Sequence, residues 1–175
     1  MNLNGPHLHL LVNHLPVAGS LGSTLLLLVA LFVRSSAARR MALLALLLTG
    51  LATLPAYFTG EGAAHVVGRM PGSERARVHE HEEAAEFGLI SGIAGGLIAL
   101  GGLLATRRRD VPRGLVIAAF VVSLWATTVF ARVALLGGEI RHVEIRNGFV
   151  PPPRPPAGVD STSAQAGPRA ERTAD

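Results

Sequence analysis

Residues 84–105 read AAEFGLISGIAGGLIALGGLLA, a run of 22 residues with one charge, Glu86. That is long enough for an α-helix to cross the hydrocarbon of a bilayer, which takes about 20 apolar residues. Set at about 100° per residue, Ala84, Ala85, Gly88, Ser91, Gly92, Gly95, Gly96, Ala99 and Gly102 fall on one side. Leu89, Ile90, Ile93, Leu97, Leu100 and Leu104 fall on the other. A stripe of small residues lets a neighbouring helix, or a flat cofactor, approach the backbone closely, and the bulky side is suited to lipid.

Three more apolar runs, at about 10–33, 41–58 and 115–137, have the same reach. The fold expected is all-α: an integral membrane four-helix bundle over residues 1–146, followed by a disordered Pro-rich tail at 147–175. The tail opens on Pro-Pro-Pro-Arg-Pro-Pro and continues in Ser, Thr, Ala and Gly, a composition that cannot bury enough apolar area to fold. The first run lacks the basic start of a signal peptide and is followed by Arg34, Arg39 and Arg40, so a retained helix is expected.

Charge sets an orientation. The segment 34–40 holds three Arg and no acid, and 106–114 holds Arg107, Arg108, Arg109 and Arg113 against Asp110. The segment 59–83 has three Arg against five acids: Glu61, Glu74, Glu80, Glu82 and Glu83. The positive-inside rule puts the first two in the cytoplasm and both termini on the outer, periplasmic side of a bacterial inner membrane.

Composition narrows the function. The net charge is +4 and all sixteen basic residues are Arg, but they lie in short loops and the tail without interleaved aromatics, so topology accounts for them and nucleic acid is not expected as a partner. The chain has no Cys, which excludes disulfides, thiolate metal sites, iron–sulfur clusters and covalent c-type haem. No serine–histidine–acid set, phosphate loop or flavin signature is present, so a stand-alone enzyme is not indicated.

The seven histidines are His7, His9, His14, His65, His79, His81 and His142. In this topology all sit at or near the outer boundary, entering from three separate stretches, while the polar tail has none. His14 lies inside the first apolar run, beside Asn13 and two residues before Pro16. An imidazole there must be paired or ligated, and the bland partner is the backbone carbonyl that Pro16 frees. The third helix is expected to begin near Pro71-Gly72-Ser73, with Ser73 as cap, and to run unbroken into its apolar span. His81 then continues the small stripe, whereas His79, Glu82, Glu83 and Glu86 continue the bulky face. Near the end of the fourth span, Glu139 and His142 are three apart and share a face if the helix continues past Gly137-Gly138; Glu-x-x-His is a ligand pair in bundle di-iron sites. Arg132, inside the apolar run, is placed to snorkel or to meet an acid or a haem propionate.

The stretch His9-Leu-Leu-Val-Asn-His14-Leu-Pro16 resembles the opening of a bacterial four-helix membrane family defined only as a domain of unknown function. The first helix of that family begins His-Pro-Leu-Leu-Val-His-Phe-Pro; its second Pro and both His match here, while Leu10 and Leu15 replace a Pro and a Phe. Thr-Gly-Glu-Gly at 59–62, His-Glu-His-Glu-Glu at 79–83 and Gly-Gly-Glu-Ile-Arg-His at 137–142 look like further marks of such relatives. The resemblance covers roughly residues 8–146 and implies a membrane protein without an assigned activity.

The leading expectation is a membrane protein holding a redox or metal centre near the outer face. In one version a haem b is bound by two of His14, His81 and His142, with Arg132 on a propionate. In the other, His14, His81 and His142 join Glu82, Glu86 or Glu139 around a non-haem transition metal. The carboxylates favour the second version, but the glycines tilt the choice slightly to haem. Besides the bilayer, a redox or membrane-complex partner is expected. The rival classes are a proton or ion transport component and a structural subunit of a larger membrane complex.

Overall fold

In the computed structural model, which describes residues 5–70, 74–151 and 153, the first apolar run forms two helices, α1 (Gly5–Val12) and α2 (His14–Phe32), parted at Asn13. Pro16 is the cause: it has no N–H to offer the Val12 carbonyl and its ring crowds that carbonyl. Three helices follow, α3 (Ser36–Val67), α4 (Arg75–Ala105) and α5 (Arg113–Arg141), and then a 3-10 turn, Val143–Ile145. Among the described residues there is no strand. Four segments, α1 with α2, then α3, α4 and α5, are long and apolar enough to cross a membrane. The chain is therefore an all-helical protein of multi-pass membrane type.

The helices outrun the apolar runs. Hydropathy marks 59–83 as a polar segment; α4 starts within it at Arg75, close to the start expected near Ser73, but α3 also continues to Val67. With 32 residues, α3 is about 48 Å long, against about 30 Å of hydrocarbon. Its extension is held by packing: Ala63 is buried, and Gly62 lies under Gly5 of α1, where an added Cβ on Gly5 would stand 3.4 Å from the Gly62 carbonyl carbon. At the start of α4 the N-cap position is Glu74, whose side chain makes no capping bond; the Ser73 cap expected from the sequence lies outside the described residues. So does most of the tail expected from 147 onward.

The long helices form a ring in the order α2, α3, α4, α5, closed by contact of α5 with α2, and α1 lies against α3. The small stripe of α4 faces inward: Ala84, Gly88, Ser91, Gly92, Gly95, Gly96, Ala99 and Gly102 are all buried. Ile90, Ile93, Leu97, Leu100 and Leu104 are exposed. This is the arrangement of a bundle whose exterior is covered by lipid and whose helices touch through small residues. The stripe is filled by neighbouring helices. Thr53 sits over Gly92 and Leu46 over Gly95 from α3; Phe130 sits over Gly88 and Leu115 over Gly102 from α5.

Between α2 and α5 the interior carries hydroxyls. Thr24 Oγ1 is 2.7 Å from Ser123 Oγ and 2.9 Å from Thr127 Oγ1, and Ser23 Oγ is 3.3 Å from Ser123 Oγ. Thr127 also donates to the Ser123 carbonyl, and Ser23 to that of Ser20. Such contacts join membrane helices without leaving polar groups unmet.

The two ends differ. At the arginine end, Leu27, Ala30, Ala42, Leu43, Ala99, Val111 and Val116 form the apolar core. Above it Arg39 donates to the Val111 carbonyl at 2.8 Å, and Arg40 to the carbonyls of Thr106 and Arg109. Those arginines supply donors to the carbonyl of Thr106, the C-cap of α4, and to two carbonyls of the connection that follows. At the opposite, histidine end, the helix extensions stand together.

Candidate histidine site

His81 is the histidine that the helix register of α4 carries inward. It lies two turns before Gly88 on the same stripe and is half-buried. Its Nδ1 is 3.0 Å from the Val133 carbonyl oxygen of α5. A carbonyl only accepts, so Nδ1 carries the proton and the lone pair of the neutral ring lies on Nε2. Gly137, one turn beyond Val133, makes room: a Cβ there would meet His81 Cε1 at 3.0 Å.

His9 is held in the same way on the other side of the bundle. Its Nδ1 is 3.1 Å from the Ala56 carbonyl oxygen of α3 and 3.3 Å from Thr59 Oγ1. The Thr59 hydroxyl already donates to the Pro55 carbonyl at 2.7 Å, so it too accepts from His9. Gly60, one turn beyond Ala56, clears the ring, for a Cβ there would meet His9 Cε1 at 3.3 Å. In both cases an imidazole bonds the carbonyl of residue i on a neighbouring helix and rests on a glycine at i+4. Among the described residues neither Nε2 has a hydrogen-bond partner.

The other candidates from the sequence stand apart from this pair. His14 is exposed, and its Nδ1 bonds Asn13 Oδ1, in place of the carbonyl freed by Pro16. His142 follows the end of α5, exposed, with Nδ1 2.9 Å from Glu144 Oε1. The helix does continue through Gly137-Gly138 to Arg141, but Glu139 is engaged by Arg77. Glu82 and Glu86 are exposed; Glu82 lines an open cleft of about 750 Å³ with Glu61, His65, Arg69 and Arg75. Arg132 is exposed on α5. His79 is exposed and pairs with Glu83 at 3.4 Å. Among the described residues no group of three or more His, Asp or Glu converges to hold a metal ion.

Salt bridges tie the rim of the site. Arg146 folds back so that Nη1 is 2.7 Å from Glu74 Oε1, while its Nε donates to the Glu139 carbonyl at 2.8 Å. Glu74 also accepts from Arg77 at 3.1 Å. A guanidinium placed on the last carbonyls of α5 complements the negative end of the helix dipole.

Sequence reasoning passed over His9, although a signal for it existed. Pro16, Ser20, Ser23, Leu27 and Ala30 form the buried stripe of α2, and counting back seven residues from Pro16 places His9 on that stripe. His14 falls on the opposite side by the same count. Compared with family models, with curated proteins and with solved structures, the chain shows no match.

Proposed function

We propose that this chain is a multi-pass protein of the bacterial cytoplasmic membrane that holds a redox or metal centre near the periplasmic face, with haem b favoured over a non-haem ion. The observation that carries the reading is His81: a ring drawn into the bundle, its Nδ1–H fixed on a backbone carbonyl and its Nε2 lone pair left bare. An Nδ1–H to carbonyl bond is the outer contact that orients a ligating imidazole and raises its basicity. The gathering of Arg39, Arg40 and Arg107–Arg109 at the other end supports the orientation.

Haem is favoured because donors are few. A bare transition ion needs several protein ligands, whereas a porphyrin brings four nitrogens and asks the protein for one or two axial groups. Bound there, haem b would supply one-electron chemistry; the chain would supply the axial imidazole and the exclusion of bulk water. With the stripe from Gly88 to Gly102 filled by α3 and α5, a macrocycle would have to lie beyond Gly88, at the level of His81. Arg132, without an ion pair among the described residues, is the nearest cation on α5 to offer a propionate.

The test is an optical spectrum of the detergent-purified protein, oxidised and dithionite-reduced, with elemental analysis of the same sample. A Soret band with iron near one per chain supports the reading. Stoichiometric manganese, zinc or iron without a Soret band moves the centre to a non-haem site. Neither signal, after growth with added iron and haem precursor, overturns the reading in favour of a structural or transport role.

A further inference from the structure

At the arginine end, the start of α3 and the connection from α4 to α5 form an open cleft of about 540 Å³, lined by Ser36, Arg40, Arg107, Arg108, Arg109 and Asp110. Four guanidiniums thus share one concavity with a single carboxylate. Arg40 is spent on structure: it donates to the carbonyls of Thr106 and Arg109 and so holds the connection against α3. Arg107, Arg108 and Arg109 are exposed, and their side chains form no hydrogen bond or ion pair among the described residues. Like charges gathered in this way repel one another, and an anion between them relieves the repulsion. Guanidiniums meet phosphate oxygens through paired N–H···O bonds, which suits Arg to that anion.

The cleft lies where the apolar spans end. Helix α4 stops at Ala105, and its exposed Leu97, Leu100 and Leu104 lead up to Arg107. On the adjoining α3, Leu44 and Leu48 are exposed and follow Arg40 at i+4 and i+8, on the same side of the helix. A cationic head and an apolar flank therefore adjoin on both helices, a pattern that a charged lipid matches along its whole length and a free ion does not. From this arrangement we infer that the cleft binds the phosphate of an anionic phospholipid, whose acyl chains lie along the leucines of α3 and α4. Basic pockets at the cytoplasmic ends of membrane helices recognise such headgroups. The inference is independent of the centre proposed at the histidine end and needs only that the chain crosses a bilayer. If the arginines act merely as loop charge that sets topology, it should not matter which of them is removed.

The experiment uses the full chain in a mild detergent at about 0.15 M salt, where distant charges are screened. Bound lipid is counted by native mass spectrometry as phosphatidylglycerol or phosphatidylcholine with the same acyl chains is added. The parent should take one phosphatidylglycerol at concentrations that leave phosphatidylcholine largely unbound. Arg107→Gln/Arg108→Gln should weaken phosphatidylglycerol binding by about tenfold or more, two charges beside the headgroup being lost. Arg34→Gln/Arg113→Gln removes two exposed arginines of the same end that do not line the cleft, and should stay within about twofold of the parent. All four side chains are exposed, so both variants should keep the parent's helical content and elution volume. Equal weakening in the two variants, unchanged binding in Arg107→Gln/Arg108→Gln, or a parent with no preference between the lipids overturns the inference. A millimolar excess of inorganic phosphate should not displace the lipid; displacement would assign the cleft to a soluble phosphate and overturn the lipid.

Discussion

Gly50 of α3 lies so close to Gly92 of α4 that a Cβ on Gly50 would stand 2.6 Å from the Gly92 carbonyl oxygen and 2.9 Å from Gly96 Cα. The two backbones meet with nothing between them, and an alanine at either face must push the helices apart. Gly50→Ala or Gly92→Ala should cost about 1–3 kcal/mol, the usual penalty of overpacking. Gly101→Ala and Gly114→Ala, where an added Cβ meets nothing within 4 Å, should be neutral or slightly stabilising. Unfolding midpoints of the four variants in one detergent would check the contrast; equal losses at all four would refute it.

His81→Ala should abolish binding of the cofactor, because it removes the ring that α4 turns inward. His79→Ala should not, since that ring is exposed and pairs with Glu83 on the outer face. Haem or metal content per chain, measured on both variants, decides the face assignment. Equal content in the two would show that the register argument is wrong.

Thr24, Ser123 and Thr127 share hydrogen bonds between α2 and α5, with Ser123 fully buried. Ser123→Ala should destabilise by about 0.6 kcal/mol, the average worth of such a bond between membrane helices. In a double-mutant cycle with Thr24→Val, a coupling energy of similar size is expected; strict additivity would mean the bond contributes nothing.

Arg146 and Glu74 pair across the rim, with side chains 12% and 55% exposed. Water reaches the carboxylate, so the pair is worth at most about 1 kcal/mol. Arg146→Ala should cost more than Glu74→Ala, because the guanidinium also serves the Glu139 carbonyl. The part shared by both variants, and the Glu74–Arg77 pair lost only with Glu74, should fade as salt is raised.

The Glu144 carboxyl is held below its ordinary range, first by its own backbone N–H and then by the His142 ring. A carboxyl with a lowered folded value favours the folded form above the unfolded value, and that favour is lost as pH falls through the folded value. In His142→Ala the Glu144 titration, followed by NMR, should rise part of the way to the ordinary value, the backbone contribution remaining. A full return would assign the effect to His142 alone.

The spans and the inward face of α4 are legible in the sequence because small and bulky residues alternate there with helical period and no competing signal. The inward placing of His81 follows from the same count. The extension of α4 is legible in its cap sequence, but that of α3 is not: 59–67 mixes Gly, Ala, Glu and His, and it packs through Gly62 against α1, with Ala63 buried. The placing of His9 is masked by its neighbour, since His14 lies deeper in the apolar run and draws attention by its cost. The hydroxyl cluster is not legible either. The middle of the span looks dry when read one helix at a time, and Ser23, Thr24 and Ser123 meet only once α2 and α5 are side by side.

The helix that carries His81 passes without a break from its apolar span into the rim. At about 1.5 Å per residue, the 31 residues of α4 make a lever of about 46 Å, and a tilt of about 5° would swing its far end through about 4 Å. Helices adjust tilt when bilayer thickness changes. A thinner or thicker lipid mixture would therefore shift the histidine end of α4 without any change in the protein.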